Sequence, residues 1–464
     1  MWWTHVKSPR RLYLQPASDL TLNVLRDSWM KCKTFHGLAS SPRWICLQKT
    51  WTCLLRGCLM LLKLISATRR PRVWLLCAVG IILCSLGDLA DRLGRSRFGR
   101  RNSKSKPAIV LIGAYGNSNF GDDIVAVGIS RSVRSFSFSG LTVIGRRENF
   151  ELLKKDLPDA RFVTCGDGLP GLLKTFVSVP RGSGLAILGG GGLLEGRRND
   201  VNVHRLVLEY VLKLTAARIR GYRVGVHGIG ISSDFYSSRL VTYTVRRVLR
   251  SAAFVNVRDA KSLKACRSVG VEAALIMDPA TTVFTDICTQ VQTNPGRVAI
   301  VLLDHHRWPS FEKGSVETES KRSDDLASLA RFMVDRENFG DRFSFFSFHE
   351  SDKAILDDLL TAFAASGGNS ALVEHLERWS SCLEPFTDLM TCEHVYSMRF
   401  HPGLAARYAR RDVKIVGDLQ KLDVLRSGSD DVGNWEYPPG FSDSKQVLLS
   451  SLAQLYPEWS RDTE

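Results

Sequence analysis

The stretch Ala108-Ile-Val-Leu-Ile112-Gly-Ala-Tyr-Gly116-Asn-Ser-Asn119-Phe-Gly121-Asp122-Asp123 passes from a β-branched run through glycines into the helical spacing of Ile124 to Val133. A strand too apolar to face water, a glycine-bearing turn and a helix are the opening of a βαβ unit. The alternation continues downstream. Leu141–Gly145, Leu185–Leu188, Arg223–His227, Phe254–Val257 and Leu275–Met277 read as further strands, and Val201–Arg220 and Ser237–Arg250 between them carry helical periodicity. Such a series predicts a parallel sheet with helices on both faces.

Asp286–Pro295 is polar and turn-rich, and beyond it the pattern restarts. Strands are predicted at Val298–Leu302, Phe343–Phe346, His394–Ser397 and Val413–Val416, and helices at Asp324–Arg336, Asp352–Ala365 and Pro402–Ala409. The fold class that follows is α/β, with two Rossmann-like doubly wound domains at residues 107–290 and 291–440. A last helix within residues 441–464 is expected to cross back to the first domain. Ligand-binding loops then belong at the carboxyl ends of the strands, in a cleft between the two sheets.

Residues 1–106 stand apart. They hold 20 Lys+Arg against 4 Asp+Glu, the whole of the formal net charge of +16, while residues 107–464 balance at 43 against 43. A nucleic-acid-binding body would carry its own basic bias, so nucleic acid is not an expected partner. Residues 1–50 lack sustained periodicity and are expected to be poorly ordered. Trp51–Ile65 is apolar but interrupted by Arg56 and Lys63, and Val73–Gly87 is an uncharged run shorter than the roughly 20 residues that span a bilayer. Arg69, Arg70 and Arg72 precede the second run; Arg92, Arg95, Arg97, Arg100 and Arg101 follow it. This predicts a helical, membrane-associated extension that meets an anionic membrane surface through residues 51–106, with the catalytic domains in the cytoplasm. A single-pass anchor and helices packed on the globular body are the alternatives. The eleven cysteines include no C-x-x-C pair and no tight Cys/His grouping, so free thiols are expected and no metal site is.

Candidate chemistry sits on the loops that follow the strands. Gly116, Asn119, Gly121 and Asp122 form the first, where a helix start offers backbone N–H groups to a phosphate or carboxylate. Asp122 as a simple N-cap is the bland alternative. Gly189-Gly190-Gly191-Gly192 and Glu195 form the second, a run that suits backbone closing around a ligand or against another loop. Glu195 is a candidate acid or a cap. His227-Gly-Ile-Gly230 is a third turn, its histidine either at the substrate or hydrogen-bonded in the core. Arg258-Asp259-Ala-Lys-Ser262 offers a guanidinium fork to a carboxylate or phosphate, with Asp259 and Ser262 orienting it or forming a local ion pair and cap. Asp278 follows the last strand of the first domain. In the second, Ser397-Met-Arg399-Phe-His401-Pro402 joins a strand to a helix. Spaced by two, Arg399 and His401 are expected to point the same way, into the cleft, and they are the leading catalytic pair.

Taken in order, N-F-G-D-D, G-G-G-G-L-L, G-I-G, R-D-A-K-S, M-D-P-A and R-F-H resemble the motifs of the polysaccharide pyruvyltransferase family over about residues 107–420. The resemblance implies a GT-B-like fold and a transferase that takes phosphoenolpyruvate as donor substrate, with no separate cofactor. It implies an acceptor that is a glycan or lipid-linked sugar of exopolysaccharide biosynthesis, and a pyruvate ketal as product. Residue by residue, it places Arg258, Arg399 and His401 on the family's donor-binding and catalytic positions, and Asn119, Asp122 and the loop glycines on its glycine-rich motifs. Asp123, His227 and Ile231 stand where the family more often has Glu, Gln and Pro. A nucleotide-sugar glycosyltransferase of the same architecture and an inactive membrane-bound scaffold of polysaccharide assembly are the alternative functions.

Overall fold

The computed structural model describes residues 79–80, 82–88, 106–180, 182, 184–195, 201–232, 238–304, 316–416, 422–427 and 435–457. A helix, α1, holds residues 79–80 and 82–88. The first sheet contains β1 (Ala108–Ile112), β2 (Gly140–Gly145), β3 (Ala160–Thr164), β4 (Gly184–Gly189), β5 (Tyr222–Ile229), β6 (Val255–Val257) and β7 (Ala274–Leu275), in the order β3-β2-β1-β4-β5-β6-β7 and parallel throughout. Its helices are α2 (Phe120–Arg134), α3 (Glu151–Asp156), α4 (Gly168–Ser178), α5 (Val201–Ile219), α6 (Arg239–Ser251) and α7 (Ala260–Ser268). A helix, α8 (Thr281–Cys288), leads into the second sheet: β8 (Asn294–Val301), β9 (Arg342–Phe346), β10 (Val373–Leu376), β11 (Cys392–Ser397) and β12 (Asp412–Ile415), ordered β10-β9-β8-β11-β12 and also parallel. With it go α9 (Val316–Glu337), α10 (Lys353–Ala365), α11 (Glu384–Leu389), α12 (Phe400–Tyr408), α13 (Asp423–Arg426) and finally α14 (Ser444–Leu455).

In the first sheet the chain winds one way through β1, β2 and β3 and the other way through β4 to β7. Right-handed crossovers then put α2 and α3 on one face and α5, α6 and α7 on the other. Strands covered on both sides must be apolar on both sides, and β1 and β4 are. Val110, Ile112 and Leu188 pack with Leu208, Val211 and Val245 under α5 and α6. Leu111 and Ile187 join Ile124 and Val127 of α2 in a core that continues through Phe284, Leu404 and Leu452 to Val301 and Val395 of the second sheet. The two sheets therefore share one core inside one compact unit, residues 65–464. The last helix does return to the first sheet: Arg223 donates to the Leu455 carbonyl at 2.7 Å and Tyr456 to that of Gly184 at 2.8 Å.

Three expectations change. Much of the turn-rich linker predicted at Asp286–Pro295 is ordered, because α8 runs to Cys288 with Val283 and Phe284 fully buried and β8 begins at Asn294. The strands β3 and β10 went unforeseen; both are sheet edges, half-exposed and so without an apolar run. The interfacial helix predicted at residues 51–65 and the arginine flanks lie outside the described residues. The described part of the second apolar run is a body-packed helix: Val79, Leu83 and Cys84 join the core of α5 and α6, Gly80 lies against Leu212 and Thr244, and Asp88 pairs with Arg218 at 2.9 Å and Arg247 at 2.7 Å. Among the described residues no helix is long and apolar enough to cross a membrane.

Candidate active site

The loop after β1 is built around Asn119. Its side chain caps α2 by accepting from Gly121 N at 3.2 Å, and its carbonyl takes the amides of Asp122 and Asp123. The Phe120 amide goes to the Phe348 carbonyl of the loop after β9, 3.2 Å away. The four amides expected to greet an anion are therefore already used, and the first turn carries the acidic residues Asp122 and Asp123 instead. This corrects the assignment of Gly116, Asn119, Gly121 and Asp122 to a phosphate or carboxylate cradle. Gly116, at φ 67°, donates to Asp123 Oδ1 at 3.0 Å.

The glycine run also serves packing. Gly190 and Gly191 take φ of 76° and 72°, a left-handed bend that favours glycine, and this lays the loop directly on α2. A methyl at Gly190 would strike Val125, one at Gly191 would strike the Asp122 carboxylate, and one at Gly192 would strike Glu195. Tyr115, wholly buried, donates to the Gly189 carbonyl at 2.8 Å and so fills the gap where the loops of β1 and β4 part, the usual binding crevice of such sheets. The polar cluster lies further along, after β6 and β7.

There Arg258 reaches Asp278 Oδ2 through Nη1 and Glu195 Oε1 through Nη2, both at 3.3 Å. His401, from the start of α12 beside the second sheet, brings Nε2 to 3.5 Å from the same Asp278 oxygen, a close contact that does not make a hydrogen bond. Its Nδ1 faces Gly121, where a methyl would collide with it. The Phe400 ring lies 5.3 Å beneath the Arg258 guanidinium, a cation–π contact. Burial by itself would raise the Asp278 carboxyl, but His401, Arg258 and the Ala280 amide carry it down to about 2, so it stays ionised. Burial would lower Arg258, and Glu195 and Asp278 hold it above its ordinary value instead. Two cation-capable groups from two sheets thus converge on one buried carboxylate, with Glu195 at the exposed rim.

Arg399 does not share that orientation. The strand ends at Ser397 and the helix starts at Phe400, so the period-two argument that paired Arg399 with His401 does not apply. Arg399 instead binds Asp352, a wholly buried residue, and donates through Nε to the Leu302 carbonyl at 3.1 Å. Asp352 also accepts from the amides of Phe348 and His349 at 3.1 and 3.0 Å. His349 in turn forms a bridge with Asn119, so this pair braces the wall beside His401 from below.

Two further expectations are corrected. His227 is fully buried in the core. It accepts from Asn256 Nδ2 at 3.0 Å and contacts Ser444 Oγ at 2.9 Å, and burial drives its pKa down to about 3, leaving a neutral structural imidazole and not a substrate contact. Ser262 is likewise occupied: its hydroxyl accepts from the Ile231 amide at 2.8 Å and donates to Asp259 at 2.7 Å, pinning the loop after β5 to the cap of α7. Sequence reasoning missed Asp352, which carries no motif, and the importance of Asp123. The latter is buried without a cation beside it, which raises its pKa to about 8, against the pull of the Gly116 amide.

Residues 148–408, more than half the chain, match the family model for polysaccharide pyruvyl transferase. That span contains Glu195, Arg258, Asp278, Arg399 and His401. No curated protein matches the chain. Among solved structures, UDP-GlcNAc 2-epimerase from Methanocaldococcus jannaschii is similar at TM-score 0.48 and 11% identity, over 75% of this chain and 99% of that one. The UDP-GlcNAc 2-epimerase from Neisseria meningitidis bound to UDP-GlcNAc gives TM-score 0.45, 11% identity, and 77% and 93% coverage. A Thermobaculum terrenum O-GlcNAc transferase mutant gives 0.39, 10%, and 88% and 77%. Likenesses this distant carry no argument about chemistry.

Proposed function

The chain belongs to the polysaccharide pyruvyl transferase family, and from that premise we propose that it moves the pyruvate unit of phosphoenolpyruvate onto two hydroxyls of a glycan or lipid-linked sugar as a ketal. The observation that carries this reading is the meeting of Arg258 and His401, from two sheets, on the single oxygen of Asp278. A proton delivered to the methylene carbon of the donor makes it a methyl group and leaves positive character on the neighbouring carbon. One sugar hydroxyl adds there and loses its proton. The second hydroxyl then forms the other C–O bond as the C–O bond to phosphate breaks, and its proton leaves with the inorganic phosphate.

His401 is the group for the first proton. With Nε2 held toward Asp278, Nδ1 is the atom free to transfer it, and the Asp278 carboxylate stabilises the imidazolium before transfer. Arg258 provides the fork for the donor's anionic groups; Glu195, at the rim, gives way when they bind. Arg399 holds the floor through Asp352, and it contributes to donor binding through the field of its guanidinium. The basic extension would keep the enzyme near an anionic membrane.

Purified protein given phosphoenolpyruvate and a panel of galactosides and mannosides should release phosphate and create a ketal methyl signal by NMR in equal amounts. Consumption of a nucleotide sugar, with phosphoenolpyruvate untouched, would reject the proposal.

A further inference from the structure

The helices on the outer face of the first sheet have a surface unlike the rest of the described residues. Five large apolar side chains are exposed among these residues, and four lie on this face: Leu86 of α1, Leu173 and Val177 of α4, at 66% and 74%, and Tyr243 of α6 at 49%. These helices adjoin, with α4 against α5, α5 against α6, and α1 lying on both α5 and α6. Leu173 and Val177 are one helical turn apart and form a single stripe, with exposed Lys174 beside it.

On α6, Arg239, Tyr243, Arg246 and Arg250 recur at helical spacing and share a side, while the helix contains no acidic residue. Arg239 and Arg250 are exposed; Arg246 is half-buried and its Nε has no hydrogen-bond partner. Arg250 reaches the Gly270 carbonyl at 3.0 Å, which joins the patch to exposed Lys264 and Arg267 of α7. The acid nearest α1's exit, Asp88, is already neutralised by Arg218 and Arg247. The chain on either side of α1 is basic, with Arg69, Arg70 and Arg72 before it and Arg92, Arg95 and Arg97 after it.

We propose that this helical face of the body, in addition to the N-terminal extension, docks on an anionic lipid bilayer. Leu173, Val177 and Tyr243 enter the boundary between headgroups and acyl chains, and Arg239, Arg246 and Arg250 meet the anionic headgroups. Apolar side chains beside fixed cations are the combination that binds an interface without crossing it. A water-facing surface gains nothing from two aliphatic side chains so exposed, and a second copy of the chain would set the same cations against one another. Because Arg258 immediately precedes α7, docking sets the active site beside the bilayer. Only the use of that placement, presenting a lipid-linked acceptor, rests on the proposed transferase reaction; the docking itself does not.

The test uses the full chain and phosphatidylcholine vesicles with or without phosphatidylserine, read by flotation. Binding should require phosphatidylserine and weaken with salt. The double variants Arg239→Glu/Arg250→Glu and Leu173→Ser/Val177→Ser should each lower the partition coefficient at least about tenfold, since each surface cation near an anionic membrane contributes roughly fivefold. Melting temperature, oligomeric state and turnover of a soluble acceptor should not change. Partitioning equal to the parent in both variants would mean that the extension alone binds and would overturn the proposal. So would loss of self-association with unchanged partitioning, which would identify the face as a contact between copies.

Discussion

Arg258 and His401 reach the same atom from different sheets, Nη1 at 3.3 Å and Nε2 at 3.5 Å from Asp278 Oδ2. Neither residue can keep its position if the other sheet is displaced, so the shared core that joins the sheets is part of the catalytic arrangement. Asp278 has no exposed surface and acts by orienting its two partners.

Substitution His401→Gln keeps a polar side chain of similar reach and removes the transferable proton. Phosphate release from phosphoenolpyruvate should fall by about 10²- to 10⁴-fold, the usual worth of general acid–base catalysis. Gly121→Ala should produce a comparable loss with His401 intact, since the added methyl meets Nδ1. Full turnover in either variant would remove His401 Nδ1 from the mechanism.

Asp278→Asn conserves shape and deletes the charge that Arg258 and His401 share. The expected result is a kcat reduced by roughly 10²-fold in protein that still folds, with a stability cost of about 3–5 kcal/mol because Arg258 stays buried and loses one of the two carboxylates it pairs with. Kinetics normalised to the folded fraction separate the two effects. A loss of activity no larger than the loss of folded protein would reduce Asp278 to a structural residue.

For Arg399, stability and donor use can be measured apart. Arg399→Ala strands the buried Asp352 carboxylate and should cost about 3–5 kcal/mol in denaturant unfolding. Adding Asp352→Asn should return most of it. If the KM for phosphoenolpyruvate remains raised in the double variant, the guanidinium also serves the donor; a normal KM there limits Arg399 to bracing the wall.

The pH dependence of stability should contain a contribution from Asp123. Its carboxyl titrates at about 8 in the folded protein against an ordinary value of 3.8, so between those limits the unfolded chain has released a proton that the folded chain retains. Stability from this group therefore declines as pH rises from 4 to 8 and levels off above. Asp123→Asn, which can still accept from Gly116, should raise the melting temperature by an amount that grows across that range. A pH-independent difference between the two proteins would contradict the buried, protonated state.

The alternation of apolar runs with amphipathic segments was enough to set the class of the fold, because a strand covered on both faces has to be apolar where it is covered: β1 and β4 are apolar along their length, and β8 is over its buried half, Val298–Val301. The edge strands β3 and β10 lacked that signature for the same reason, being covered on fewer sides. Motif order likewise marked Arg258, Asp278 and His401, since residues at strand ends are local in the chain. Orientation is not local. Which way Arg399 turned depended on a carboxylate 47 residues away, Asp352, and the glycines of residues 189–191 were needed for the approach of α2, not of a ligand. His227 became a core residue only when Ser444, 217 positions later, arrived opposite its ring. Sequence alone set the elements and their chemistry, because hydrophobic periodicity and backbone preferences act within a few residues. The tertiary structure decided which charges meet, because burial makes each one depend on partners that the chain brings from far away.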